Sequence, residues 1–172
     1  MTPAEGQAFD PALALRTLHA HGVRFVLIGG LAANVLGSPS ITYDLDICYA
    51  RDEANLAALA AALTELGARL RGVRERVPFR LDALTLKRGD SFTFTTRAGS
   101  VDVLATPSGT RGYDELEADA SEIELAGVEV RVASIDALMR MKRAAARPKD
   151  RIELEVLEAL KDEIEQQREA GS

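Results

Sequence analysis

The stretch "ITYDLDICY" (41–49) sets two aspartates, Asp44 and Asp46, two residues apart in a run that otherwise reads as a buried β-strand. Charged side chains sit in such places only with a partner, because taking an ionised carboxylate out of water is expensive. Strand side chains alternate between faces, so Asp44 and Asp46 project together while Leu45 and Ile47 turn to the opposite, core-facing side. Two carboxylates that close repel, and neither stays ionised cheaply without a counterion. Mg2+, or Mn2+ in its place, removes the difficulty: it takes oxygen ligands in an octahedral shell and keeps waters or substrate phosphates within it.

A third acid occupies the same setting. "SVDVLAT" (100–106) places Asp102 between Val101 and Val103, and a strand paired beside 44–49 would bring it to the same point in space. Three converging strand aspartates suit a two-metal arrangement, one ion on a nucleotide's phosphates and one activating an attacking hydroxyl. Just upstream, "VLIGGLAANVLG" (26–37) is a strand that stops at Gly29-Gly30 and opens a helix. Glycine lets backbone approach a ligand closely, and a helix start offers unpaired N–H groups to a phosphate. Taken alone, the glycine pair reads as a tight corner; the acids fourteen residues later favour the phosphate.

The rest of the chain frames these motifs. Asp10-Pro11 starts a helix running to Gly22, 23–28 is a β-rich run, 31–37 a brief helix and 38–40 a loop. After the strand at 43–50, Asp52 caps a helix whose Leu56, Leu59, Leu63 and Leu66 recur at helical spacing until Gly67. From 79 to 105 the pattern turns to period two, and the runs flanking Arg97-Ala98-Gly99 predict a hairpin. Residues 108–113 read as a turn and 128–133 as the last strand. Helices follow over 134–146 and 148–167. The prediction is an α+β (mixed α/β) fold, one domain over 10–168 behind a flexible tail at 1–9, with an antiparallel element in its middle.

Along the helix from Ser134, Ile135, Leu138 and Met139 mark the core-facing stripe, and the next position on it is Lys142. Its stem can follow the core and bring the ammonium out at an edge, to meet a triphosphate or simply a surface acid. Arg147 and Lys149 are weaker candidates, and Asp150 complements a helix dipole. His19 and His21, in the last turn of the first helix, read as structural. The net charge of −6 argues against a protein that coats nucleic acid through bulk charge, although 69–80 and 140–151 are basic and 114–124 acidic. No apolar run approaches the ~20 residues of a membrane span, the N-terminus lacks a signal-peptide pattern, and Cys48 is the lone cysteine. These features predict a cytoplasmic protein.

Together, "GGLAANVLGSPSITYDLDI" (29–47) and "SVDVL" (100–104) resemble the signature of the DNA polymerase β-like nucleotidyltransferase superfamily. Thr42 and the closing "LMRMKRAAARPKDRIELEVLEAL" (138–160) resemble its small bacterial members, the minimal and aminoglycoside-type nucleotidyltransferases. The resemblance implies a small mixed sheet packed with helices, and transfer of a nucleoside monophosphate from an NTP to a hydroxyl with release of pyrophosphate. It implies that Asp44, Asp46 and Asp102 are the catalytic, metal-holding acids, with Asp102 able to act as general base. Gly29, Gly30, Thr42 and Lys142 would bind nucleotide and phosphates. The acceptor would be a small molecule, an RNA end or a protein side chain, the RNA end in keeping with a toxin-type enzyme that modifies tRNA. Resistance enzymes of this kind usually carry a further helical domain for the drug; the short remainder after the last strand weighs against antibiotic modification. The alternative is a non-catalytic partner or antitoxin subunit that keeps the fold. A homodimer is compatible with either.

Overall fold

Four helices begin where a short polar side chain takes up an amide that the first turn leaves unpaired. The side chains of Asp10, Asp52, Asp82 and Ser134 accept from the N–H groups of Leu13, Asn55, Thr85 and Ala137 at 3.1, 3.0, 2.8 and 3.1 Å. The computed structural model describes residues 8–72 and 78–171. Its elements in chain order are α1 (Pro11–Ala20), β1 (Phe25–Ile28), α2 (Gly29–Leu36), β2 (Asp44–Tyr49), α3 (Glu53–Glu65), β3 (Arg69–Leu70) and α4 (Ala83–Arg88). They continue with β4 (Ser91–Thr96), β5 (Gly99–Leu104), α5 (Tyr113–Ala118), β6 (Ser121–Leu125), β7 (Val128–Val132), α6 (Ile135–Ala145) and α7 (Pro148–Ala170).

The described strands form one seven-stranded sheet in the order β3-β4-β5-β2-β1-β7-β6. β2 runs parallel to β5 and β1 parallel to β7; the remaining neighbours are antiparallel. This is the mixed sheet with packed helices that the α+β reading predicts. One face of its centre is apolar and sealed: Leu45, Ile47, Val101, Val103 and Phe94 are all buried. The opposite face carries the acids, at the middle of the sheet, where α2 packs over β1 and β2 and α6 packs against α2. α7 in turn lies along α6.

Three sequence expectations need correction. Residues 83–88, read as part of a period-two segment, are α4: the Asp82 cap closes a helical turn and sends Leu86 into the core. The acidic stretch 114–124 is not a continuous solvated face, since Leu116 of α5 is buried within it, while the turn expected after the Asp102 strand is present at 108–110. Gly112 precedes α5, and β6 pairs with β7 with Ile123 and Leu125 half-buried between exposed Glu122 and Glu124. Phe9, placed in the loose tail, packs against the core, and Asp10 donates to the Ala98 carbonyl at 2.9 Å. Residues 1–7 of that tail, and 73–77 of the basic stretch, lie outside the described residues. Among the described residues no helix is long and apolar enough to cross a membrane.

Candidate active site

The register assembles the site. Asp46 on β2 pairs with Asp102 on β5, Thr93 on β4 pairs with Asp102 on its other side, and Ile28 on β1 pairs with Asp46. Paired residues of neighbouring strands share a face. Ile28, Asp46, Asp102 and Thr93 therefore form a row across the sheet, and Asp44 lies on the same face two residues along β2. Arg71 ends the row. Its N–H donates to the Thr93 carbonyl at 3.0 Å, and its Nη2 donates to Asp102 Oδ1 at 2.8 Å.

Crowding of carboxylates governs the electrostatics. Burial, then the charge and hydrogen bond of Asp102, then the charge of Asp44, push the Asp46 carboxyl up to about 7, with Lys142 opposing. Burial also raises Asp102, and the Arg71 guanidinium works against that rise. Asp44 Oδ1 is buried with no hydrogen-bond partner. An orphaned buried oxygen beside two acids that resist ionisation is what an oxygen-liganded divalent cation relieves, so the residues present fit Mg2+. They do not form a closed cage. Among the described residues, no group of three or more His, Cys, Asp or Glu side chains is assembled as a ready metal centre.

Gly29 and Gly30 open α2 directly against this row. A side chain at Gly29, whose φ is +72°, would collide with the Asp46 carboxylate, and a Cβ at Gly30 would come within 2.9 Å of Thr42 Cβ. The two glycines are therefore required by close approach, to the acid in one case and to Thr42 in the other. Their placement brings the helix start to the acids, and Thr42 lines the same space.

Cations close the opposite wall. Lys142 on α6 and Arg147 and Lys149 at the α6–α7 corner line the same cavity of about 410 Å3 as Asp44, Asp46 and Asp102. Lys142 reaches the cleft, and it is paired there, with Asp150 at 3.3 Å and with Glu153. Asp150 does more than complement a dipole: only 2% exposed, it accepts from Arg147 N–H at 3.0 Å and Nε at 2.9 Å. Hydrogen bonds from Arg147, outweighing the opposing effect of burial, hold its carboxyl down to about 2, with Lys142 helping. His21, read as structural, contacts Glu65 at 3.2 Å, and it does not line the cavity.

Gly29, Gly30, Thr42, Asp44, Asp46, Asp102 and Lys142 thus line one cavity. Sequence reasoning missed Arg71, Thr93, Ser91 and Glu153. Arg71 was visible only as one arginine of a basic run, and its meeting with Asp102 depends on a strand register that spacing does not give. Chemically, the arrangement offers backbone N–H groups and cations for a polyphosphate and clustered carboxylates for a metal. It also offers Asp102 as a base beside the cluster.

No curated protein sequence matches the chain. Among solved structures it is similar to the lincosamide antibiotic adenylyltransferase LnuA in its lincomycin-bound form, at 16% identity and a TM-score of 0.59, covering 90% of this chain and 99% of that one. It is also similar to the antibiotic-resistance factor ANT(2'')-Ia, at 16% identity and a TM-score of 0.50, covering 93% and 94%. Likeness at this identity speaks to the fold. The model of the aminoglycoside-2''-adenylyltransferase family matches residues 13–157, most of the chain, and the protein belongs to that family of small nucleotidyltransferases.

Proposed function

We propose that this chain is a Mg2+-assisted nucleotidyltransferase that moves a nucleoside monophosphate from an NTP, ATP in the first instance, to a hydroxyl of a small-molecule acceptor of the antibiotic type. The observation that carries the reading is the side-by-side register of Asp46 and Asp102, with Asp44 beside them and the Gly29-Gly30 helix start against them. Family membership supports nucleotide transfer to a hydroxyl, and the structural neighbours named for antibiotics support a small acceptor over an RNA end or a protein side chain. The full set of acids also speaks against a non-catalytic partner or antitoxin subunit.

In this reading, Asp44 and Asp46 would hold the metal, and Asp102 would complete the set. Bound there, Mg2+ would supply charge neutralisation and Lewis acidity at the triphosphate. The N–H groups at Gly29 and Gly30 receive phosphate oxygens, and Thr42 seats the same segment of the nucleotide. Lys142 and Arg147, drawn from Glu153 and Asp150, add positive charge along the phosphates. Asp102 accepts the proton of the acceptor hydroxyl as its oxygen bonds to the α-phosphorus. The bond from that phosphorus to the bridging oxygen breaks, and pyrophosphate leaves with the electron pair. Little beyond position and charge is needed for such a displacement.

Calorimetry with a non-hydrolysable ATP analogue tests the nucleotide half. The expected result is binding that requires Mg2+ and collapses in the Asp44→Asn/Asp46→Asn double variant; equal affinity with and without metal defeats the reading.

A further inference from the structure

The cationic wall of the cavity carries an anion of its own. Lys142 on α6 is paired with two acids of α7, Asp150 at 3.3 Å and Glu153. The two stand three positions apart, on one side of that helix, and they are not equivalent. Asp150 is buried, accepts from the N–H and Nε of Arg147, and does not line the cavity. Glu153 does line it, with its side chain 39% exposed, and its ion-pair partner among the described residues is Lys142. Asp150 therefore anchors the ammonium from within the fold, and Glu153 neutralises it inside the cavity.

Carboxylate and phosphate oxygens compete for the same charged N–H donors. A triphosphate seated at the start of α2 therefore meets Lys142 with a negative charge already on it. Of the two contacts that Lys142 makes, the one to Glu153 is the cheaper to exchange. A partly exposed pair opens at small cost because water takes back the released charge. The buried Asp150 carboxylate would lose a donor that water cannot replace. Beside bound phosphates, moreover, the Glu153 carboxylate is repelled and turns outward through its exposed side.

Building on the nucleotidyltransferase reading, we infer that Glu153 is an internal competitor of the triphosphate for Lys142. In the empty enzyme it occupies the ammonium, and it gives the ammonium up when the phosphates arrive. When pyrophosphate leaves, it takes the ammonium back. The contact is thus autoinhibitory towards the incoming nucleotide and helps the second product out.

The test is a double-mutant cycle on the full chain, read by calorimetry with Mg2+ and either a non-hydrolysable ATP analogue or pyrophosphate. The proteins are wild type, Glu153→Gln, Lys142→Ala and the double variant. Glu155→Gln, at an exposed position of the same helix, controls for the loss of one charge. Glu153→Gln is expected to bind both ligands about three- to tenfold more tightly than wild type, a gain where removal of a cavity residue would ordinarily bring a loss. Glu155→Gln should stay within about twofold of wild type, and in the Lys142→Ala background the Glu153→Gln gain should shrink to less than about twofold. Unchanged or weaker binding by Glu153→Gln overturns the inference and leaves the nucleotidyltransferase reading standing, provided that wild type binds the analogue. An equal gain in the Lys142→Ala background also overturns it, because the effect would then be one of general charge. Binding of neither ligand by any of the proteins overturns both.

Discussion

Gly29 is the residue at which backbone, acid and ligand surface meet. It combines a φ of +72° with a Cβ position already occupied by the Asp46 carboxylate. Gly29→Ala is therefore expected to destabilise the protein by roughly 1–3 kcal/mol and to weaken binding of the ATP analogue by displacing Asp46. Chemical denaturation and calorimetry measure the two effects; full affinity with full stability would refute the close-approach argument. Lys142→Ala should weaken triphosphate binding more than nucleoside binding, because the ammonium contributes a point charge and no base contact. Equal losses for ATP and adenosine would assign the lysine to its pairs with Asp150 and Glu153 alone. At this scale the sequence was informative wherever a residue stood out against its neighbours. Asp44, Asp46 and Asp102 are legible because each is an acid flanked by apolar strand residues. Arg71 and Thr93 are not legible, since nothing local distinguishes them until β3, β4 and β5 are laid side by side.

Among the elements, the corner between α6 and α7 connects the core to the cleft. Asp150 caps α7 through Arg147 and holds Lys142 from below. Removing it in Asp150→Ala is expected to cost about 1–3 kcal/mol and to loosen the cationic wall. The same carboxylate gives a pH dependence with a definite sign. Its pKa falls from 3.8 in the unfolded chain to about 2 in the fold. The stabilisation is therefore fully present above pH 3.8, at most about 2 kcal/mol, and is lost as pH falls towards 2. Urea titrations of wild type and Asp150→Ala between neutral pH and pH 2 should converge; a constant gap would remove Asp150 from the acid transition. Elements with both a start signal and a long period were readable in advance, as α1, α3, α6 and α7 are. α4 was lost because six residues hold too little periodicity to outvote the alternation around them, and β6 because its glutamates masked the half-buried Ile123 and Leu125.

For the molecule as a whole, nucleotide binding and stability would be linked, because the cavity exists only when α2, β2, β5, α6 and the start of α7 come together. Mg2+ with the ATP analogue at a hundredfold excess over its dissociation constant is expected to add about 2.7 kcal/mol. For a chain of this size that is a rise in Tm of roughly 5–10 °C. The Asp44→Asn/Asp46→Asn variant should show no such rise in a calorimetric scan, and an undiminished shift would mean that the ligand sits away from the acids. The mixed α+β class and the pairing of β2 with the Asp102 strand could be anticipated from the chain, while the order of the sheet could not. Strand order is a matter of long-range contacts, and only the row it creates reveals which polar residues stand beside the acids.

That row has an arithmetical consequence. Asp44, Asp46, Asp102 and Thr93 share a face because they occupy matching positions in a count of two along paired strands. Inserting a single residue between Asp44 and Asp46 would shift that parity, so that only one of the two could look into the cleft and the other would be driven among leucines and valines. Substitution is forgiving by comparison, so long as apolar stays apolar and the count is kept. What such a chain must inherit intact is an interval more than a spelling, and a neighbour sharing 16% of its residues can still share its architecture.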